Sequence, residues 1–133
     1  MDLSKQVCTL EQAKKLKELG VDQQSYIAWC PDGDEWFLSR SSPNGDDGYS
    51  IEPNELSAYT VAELGIMVPN MAMLEYKVDD FFDEYMKDVP DKEREGKFWS
   101  SLFTPVFLAD LLIYLLENNH TTPEEVNTRL KNS

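Results

Sequence analysis

A chain of 133 residues with 41% hydrophobic and 28% charged side chains fits a single domain, 1–133, around one core, and its balance is globular rather than disordered. Its formal net charge of −13 is unevenly placed: residues 1–30 hold four acidic and four basic side chains, residues 31–91 hold fifteen and three, and residues 92–133 hold six and five. A field of that sign repels nucleic-acid phosphates and anionic membrane, so the expectation is no direct nucleic-acid or membrane partner, but a cationic protein partner or simple solubility.

Thr9 and Gln12 form a capping box, so a helix is predicted over 10–19 with Leu10, Ala13, Leu16 and Leu19 along one side. Gly20 stands where a helix end needs a left-handed residue. Residues 25–30 and 35–40 read as strands of a hairpin around Asp32-Gly33. The implied register sets Trp29 opposite Trp36, with Ile27, Trp29, Trp36 and Leu38 on the core face and Tyr26, Ala28 and Phe37 on the other.

Residues 41–50, rich in Ser, Pro, Asn, Asp and Gly, read as an exposed loop, and 51–59 as mostly irregular. Thr60 and Glu63 form a second capping box for a short helix ending before Pro69. Residues 71–78 alternate as a half-buried strand. Residues 79–88 suit either a helix or a continued strand, 90–96 read as a charged turn, and 97–103 as a fourth strand.

Thr104-Pro105 is a strong helix start. Only Asp110 is polar between 106 and 116, so this helix is expected deep in the domain and covered on several sides. Thr122-Pro123-Glu124-Glu125 opens a last short helix with Val126 and Leu130 inward. The sum is an α+β domain: a small, mainly antiparallel sheet of three or four strands, packed by a long apolar C-terminal helix and shorter capped helices.

The segments TLEQAKKLKELGVDQQSY (9–26), SAYTVAELGIMVP (57–69) and LLIYLLENN (111–119) resemble a group of small uncharacterised proteins of anaerobic gut bacteria and their phages. The resemblance covers about a third of the chain and implies a bacterial or phage-encoded accessory protein of the cytoplasm. The group has no established activity, so it supplies no site residues.

Catalytic constellations are not legible. His120 is the single histidine and reads as a helix C-terminal cap or dipole partner. Cys8 and Cys30 are expected as free, partly buried thiols, since no export signal is read at the N-terminus and neither has a basic neighbour in sequence. Phosphate-loop, dinucleotide and nucleophile-elbow motifs are missing, and two cysteines with one histidine do not readily supply a zinc site. No cofactor is expected. Trp29, Trp36 and Trp99 read as core rather than as a binding surface.

The carboxylates are the remaining candidates. Asp32, Asp34 and Glu35, then Asp46 and Asp47, then Asp79, Asp80, Asp83 and Glu84 form the candidate interaction surface. The expectation is a non-enzymatic accessory or regulatory protein that binds a protein partner. The alternative is a small-molecule or cation-binding domain, or a minor hydrolase, using the same carboxylates. Homo-oligomerisation through the Tyr26 and Phe37 face is a further possibility at this stage.

Overall fold

The computed structural model describes residues 3–43, 49–69, 79–101 and 104–132. In chain order the elements are α1 (Leu10–Glu18), β1 (Ile27–Asp32), β2 (Glu35–Arg40), β3 (Ser42–Pro43), β4 (Tyr49–Ser50), β5 (Leu56–Ser57), α2 (Val61–Met67), α3 (Asp79–Tyr85), α4 (Asp91–Ser101), α5 (Pro105–Glu117) and α6 (Pro123–Lys131). The main sheet is antiparallel in the order β2-β1-β5, and β3 pairs with β4 separately. The α+β class is therefore as the sequence implies.

The centre of the domain is α5. Phe107, Leu108, Ala109, Leu111, Leu112, Leu115 and Leu116 are all buried, over a broad arc wider than a single stripe, while Val106 and Glu117 are exposed on the remaining side. Helices α1 and α2 pack directly on it, α6 packs on α2, and α1 also meets β5. Ala13 and Leu16 of α1, Leu64 and Met67 of α2 and Val126 of α6 complete this core. A smaller cluster of Val7, Ile27 and Ala58 lies under the hairpin, and Trp29 packs against both.

One polar side chain interrupts the apolar run, and the fold satisfies it. Gln12 accepts from the Thr9 N–H at 2.9 Å, closing the capping box, and donates to the Val106 carbonyl at 2.8 Å and to Asp110 Oδ1 at 2.7 Å. One amide thus caps α1 and ties it to α5. The Lys15–Glu117 ion pair at 3.2 Å adds a second tie between the two helices.

Both long-range helix ends use left-handed residues. Gly20 has φ 94°, the Gly20 N–H donates to the Lys17 carbonyl, and that of Val21 to Leu16. Asn119 has φ 59°, its N–H donates to Leu116, and that of His120 to Leu115. Each is a Schellman end. His120 therefore caps α5 through its backbone, while its ring lies 5.9 Å from that of Tyr114. From α6, Asn127 clamps the segment after α1, donating to the Gly20 carbonyl at 3.0 Å and accepting from the Asp22 N–H at 2.7 Å. Arg129 donates twice to the Met67 carbonyl, at 3.0 and 2.8 Å, closing α2.

Some sequence expectations change and one is resolved; the segment 41–50, expected as a loop, carries the short pair Ser42–Pro43 and Tyr49–Ser50 at its ends. The hairpin turns at Gly33-Asp34, so Trp29 faces Leu38 and Trp36 faces Pro31; Gly33, at φ 66°, takes the first loop position. This shift of two residues leaves the faces intact because the strand period is two. Residues 56–57 form the third strand, unseen because Leu56, Ser57, Ala58 and Tyr59 are all buried and so lack alternation. Helix α4 replaces the turn over 90–96 and the strand from 97: Lys, Glu and Arg are good helix formers, and Asp91 pairs with Arg94 at 3.3 Å. The ambiguous stretch from 79 is helix α3, whose Phe81, Phe82 and Tyr85 pack on Phe107. The predicted strand over 71–78 lies outside the described residues.

Gln12→Ala removes the donors of Asp110 and Val106 and the acceptor of Thr9, and should destabilise the domain by about 1–3 kcal/mol in urea titration. Gly20→Ala places a Cβ at positive φ and 3.3 Å from Pro123 Cβ. It should cost about 1–2 kcal/mol in the same measurement.

Candidate functional site

The acidic residues divide between two places. At the hairpin end Asp32 and Glu35 are direct cross-strand partners, with Asp34 in the turn between them, and all three are exposed. Like charges set opposite one another on a ladder are unfavourable, and only solvent screens them here. Asp80, Asp83 and Glu84 are exposed on α3, which Asp79 opens. Among the described residues Asp32, Asp34, Glu35, Asp80 and Asp83 form no ion pair. Glu84 holds Lys87 at 2.7 Å, which raises the lysine's pKa. Asp46 and Asp47 lie outside the described residues. Among the described residues no three His, Cys, Asp or Glu side chains converge in a way that could hold a metal.

Both thiols and one tyrosine hydroxyl are buried. Cys8 and Cys30 are free and buried, more fully than the sequence implies. Burial pushes the Cys8 thiol up to about 12. Burial, then a 3.0 Å hydrogen bond to the Glu55 carboxylate and its charge, push Cys30 up to about 11. Both are thiols, not thiolates, near neutral pH, and neither is an activated nucleophile. Tyr59 is fully buried and donates to the Asp22 carbonyl; burial raises its pKa as well.

Glu63 is a partly buried carboxylate bound from two directions. Its Oε1 accepts from the Thr60 N–H at 2.9 Å and the Thr60 hydroxyl at 3.1 Å, while Oε2 accepts from the Tyr26 N–H at 3.1 Å. The capping box is legible in sequence; the tether to the start of the hairpin is not. Burial raises its pKa against these hydrogen bonds. Every acceptor contact is structural, so Glu63 reads as a joint between α2 and β1.

Tyr26 and Phe37, expected on the second hairpin face, are 38% and 50% exposed, and the Arg40 guanidinium lies over the Tyr26 ring at 5.6 Å. Ala28 and Cys30 on that same face are buried. On the core face Trp29 and Trp36 are half-buried. Trp99 belongs to α4, and its side chain lies outside the described residues.

A solvent-open pocket of ≈ 270 Å³ lies between α3 and α4, lined by Phe82, Asp83, Met86, Arg94 and Glu95. Asp83 is one of the candidate carboxylates. Arg94 and Glu95 were hidden in sequence because the segment reads as a turn. The alternation of acidic and basic helix formers after Pro90 was the available signal.

Comparison with protein-family models, with curated proteins and with solved structures finds no match. None of the described helices is long and apolar enough to cross a membrane.

The Glu63 joint carries a pH signature. Its folded-state pKa lies above the ordinary 4.5, so its contribution to stability is fully present below the unfolded-state value and is lost as pH rises through the folded-state one. Urea titrations from about pH 7 down to about pH 4 should therefore show the stability difference between wild type and Glu63→Gln moving in favour of wild type. A difference that stays flat or moves the other way contradicts the burial of this carboxylate.

Proposed function

We propose that the chain is a non-enzymatic accessory or regulatory protein of a bacterium or one of its mobile elements, acting in the cytoplasm by binding a protein partner through its acidic middle segment. The observation that carries this reading is the hairpin end, where Asp32 faces Glu35 across the ladder with Asp34 between them, all exposed and without ion pairs among the described residues. A cationic surface set against this end would relieve the repulsion, so the arrangement favours a basic partner and disfavours phosphates. Burial of both thiols and of the Tyr59 hydroxyl supports the non-enzymatic part.

The alternative, a small-molecule or cation-binding domain or hydrolase, would rest on the pocket that Asp83 and Glu95 both line. Its ≈ 270 Å³ falls below the roughly 300–1,000 Å³ usual for small-molecule sites. The interaction reading is therefore preferred.

The test is affinity capture from the lysate of the native host, with and without nuclease. The bait is wild type or the Asp32→Asn, Asp34→Asn, Glu35→Gln triple variant. The expected outcome is a protein recovered by wild type regardless of nuclease and lost with the triple variant. Equal recovery by both baits would remove the hairpin end from the interaction, and nuclease-sensitive recovery would point to bridging by nucleic acid instead.

A further inference from the structure

Resting on that reading, we infer that the α3–α4 pocket is the docking point for a basic amphipathic segment of the protein partner. In it, one apolar side chain seats against Phe82 and Met86, and flanking Lys or Arg side chains meet Asp83 and Glu95.

The pocket's composition selects this occupant. Its base is apolar: Met86 is buried, and Phe82 is half-buried with its ring stacked on Phe107 at 5.8 Å, so the floor is anchored to the core rather than to a mobile loop. Its rim carries two exposed carboxylates, Asp83 and Glu95, with Asp80 and Glu84 exposed nearby on α3. The one cation lining it among the described residues is already engaged: Arg94 Nε donates to the Val89 carbonyl at 3.0 Å and lies 3.3 Å from Asp91. An anionic ligand would meet two carboxylates and a guanidinium held by a third. A cationic one meets complementary charge.

Size narrows the choice further. A space of ≈ 270 Å³ open to solvent suits a side chain entering from another surface better than an enclosed cofactor. Apolar anchors in a pocket with a charged rim are the usual way an amphipathic helix is read. On the α3 side the charge asymmetry agrees, since residues 31–91 hold fifteen acidic and three basic side chains.

The experiment uses the full chain and a fluorescein-labelled synthetic helical peptide with leucines on one face and lysines on the other. Two control peptides replace the leucines by serine or the lysines by glutamate. The variants are Asp83→Lys with Glu95→Lys, all exposed positions, and Asp32→Lys with Asp34→Lys and Glu35→Lys, which alters the net charge more. The expected result is binding of the leucine–lysine peptide only, weakened about tenfold or more by the pocket variant and less by the hairpin variant. In parallel, the Met86 methyl resonance, one of five methionines, should shift on titration.

Binding that survives leucine-to-serine replacement, that weakens as much with the hairpin variant, or that leaves Met86 unmoved overturns the pocket while leaving the acidic-surface reading intact. Failure of every peptide to bind also overturns it. The hairpin reading stands or falls separately, on capture by the Asn/Gln triple variant.

Discussion

The whole arrangement depends on the need to cover the broad apolar arc of α5. That arc, from Phe107 through Leu111, Leu115, Leu108 and Leu112 to Leu116 and Ala109, is too wide for one neighbour, and leaving part of it bare would put several large aliphatic side chains in water at roughly 1.5–3 kcal/mol each. Helices α1 and α2 take two sides, and the aromatic side chains of α3 meet it at Phe107 and Tyr114. The one polar group must then be answered from outside. Gln12 does so at 2.7 Å, and this fixes which turn of α1 lies against which turn of α5. Apolar contact brings the two helices together without choosing their register; the amide supplies the choice.

Helix α6 performs the corresponding task at the other end. It buries little of its own surface beyond Val126, but Asn127 holds the exit of α1 and Arg129 the exit of α2. Backbone groups left over at helix ends need partners, and here side chains from a helix distant in sequence provide them. Residues 9–22 and 119–129 are thereby joined through hydrogen bonds as well as through the core. The near-neutral ends supply much of the scaffold, Leu56, Tyr59, Leu64 and Met67 of the middle complete its core, and the exposed carboxylates are carried on it.

What was legible in sequence was local. Thr9, Thr60, Thr104 and Thr122 mark helix starts because a hydroxyl three residues from an N–H is a sequence property, and all four hydroxyls accept the expected bond. Gly20 marks an end for the same reason. What escaped was set by tertiary context. Residues 56–57 lack alternation because both sides of the strand are covered. Residues 91–101 carry a charge pattern equally natural to a turn and to an exposed helix, and only the chain's path decides. Of the candidate site, the identities of the carboxylates were legible but their grouping was not. Asp83 acquires neighbours from α4 that no spacing in the sequence connects to it.

The separation of scaffold from acidic display has a physical consequence for function. The carboxylates at Asp32, Asp34 and Glu35 sit on a two-residue turn whose conformation is set by Gly33, and those of α3 ride on a helix whose opposite face is held by Phe107. Among the described residues Asp32, Asp34, Glu35, Asp80 and Asp83 form no ion pair, unlike Glu84, which holds Lys87, and Glu63, which is committed to Thr60 and Tyr26. Charge without an internal ion pair, held on rigid elements, loses little conformational entropy when it meets a partner. Being exposed, these positions are free to vary their charge pattern without disturbing α5 and its cover. A surface arranged in this way is suited to selecting a partner by electrostatic complementarity, with the apolar base of the α3–α4 pocket adding the directional contact that charge alone lacks.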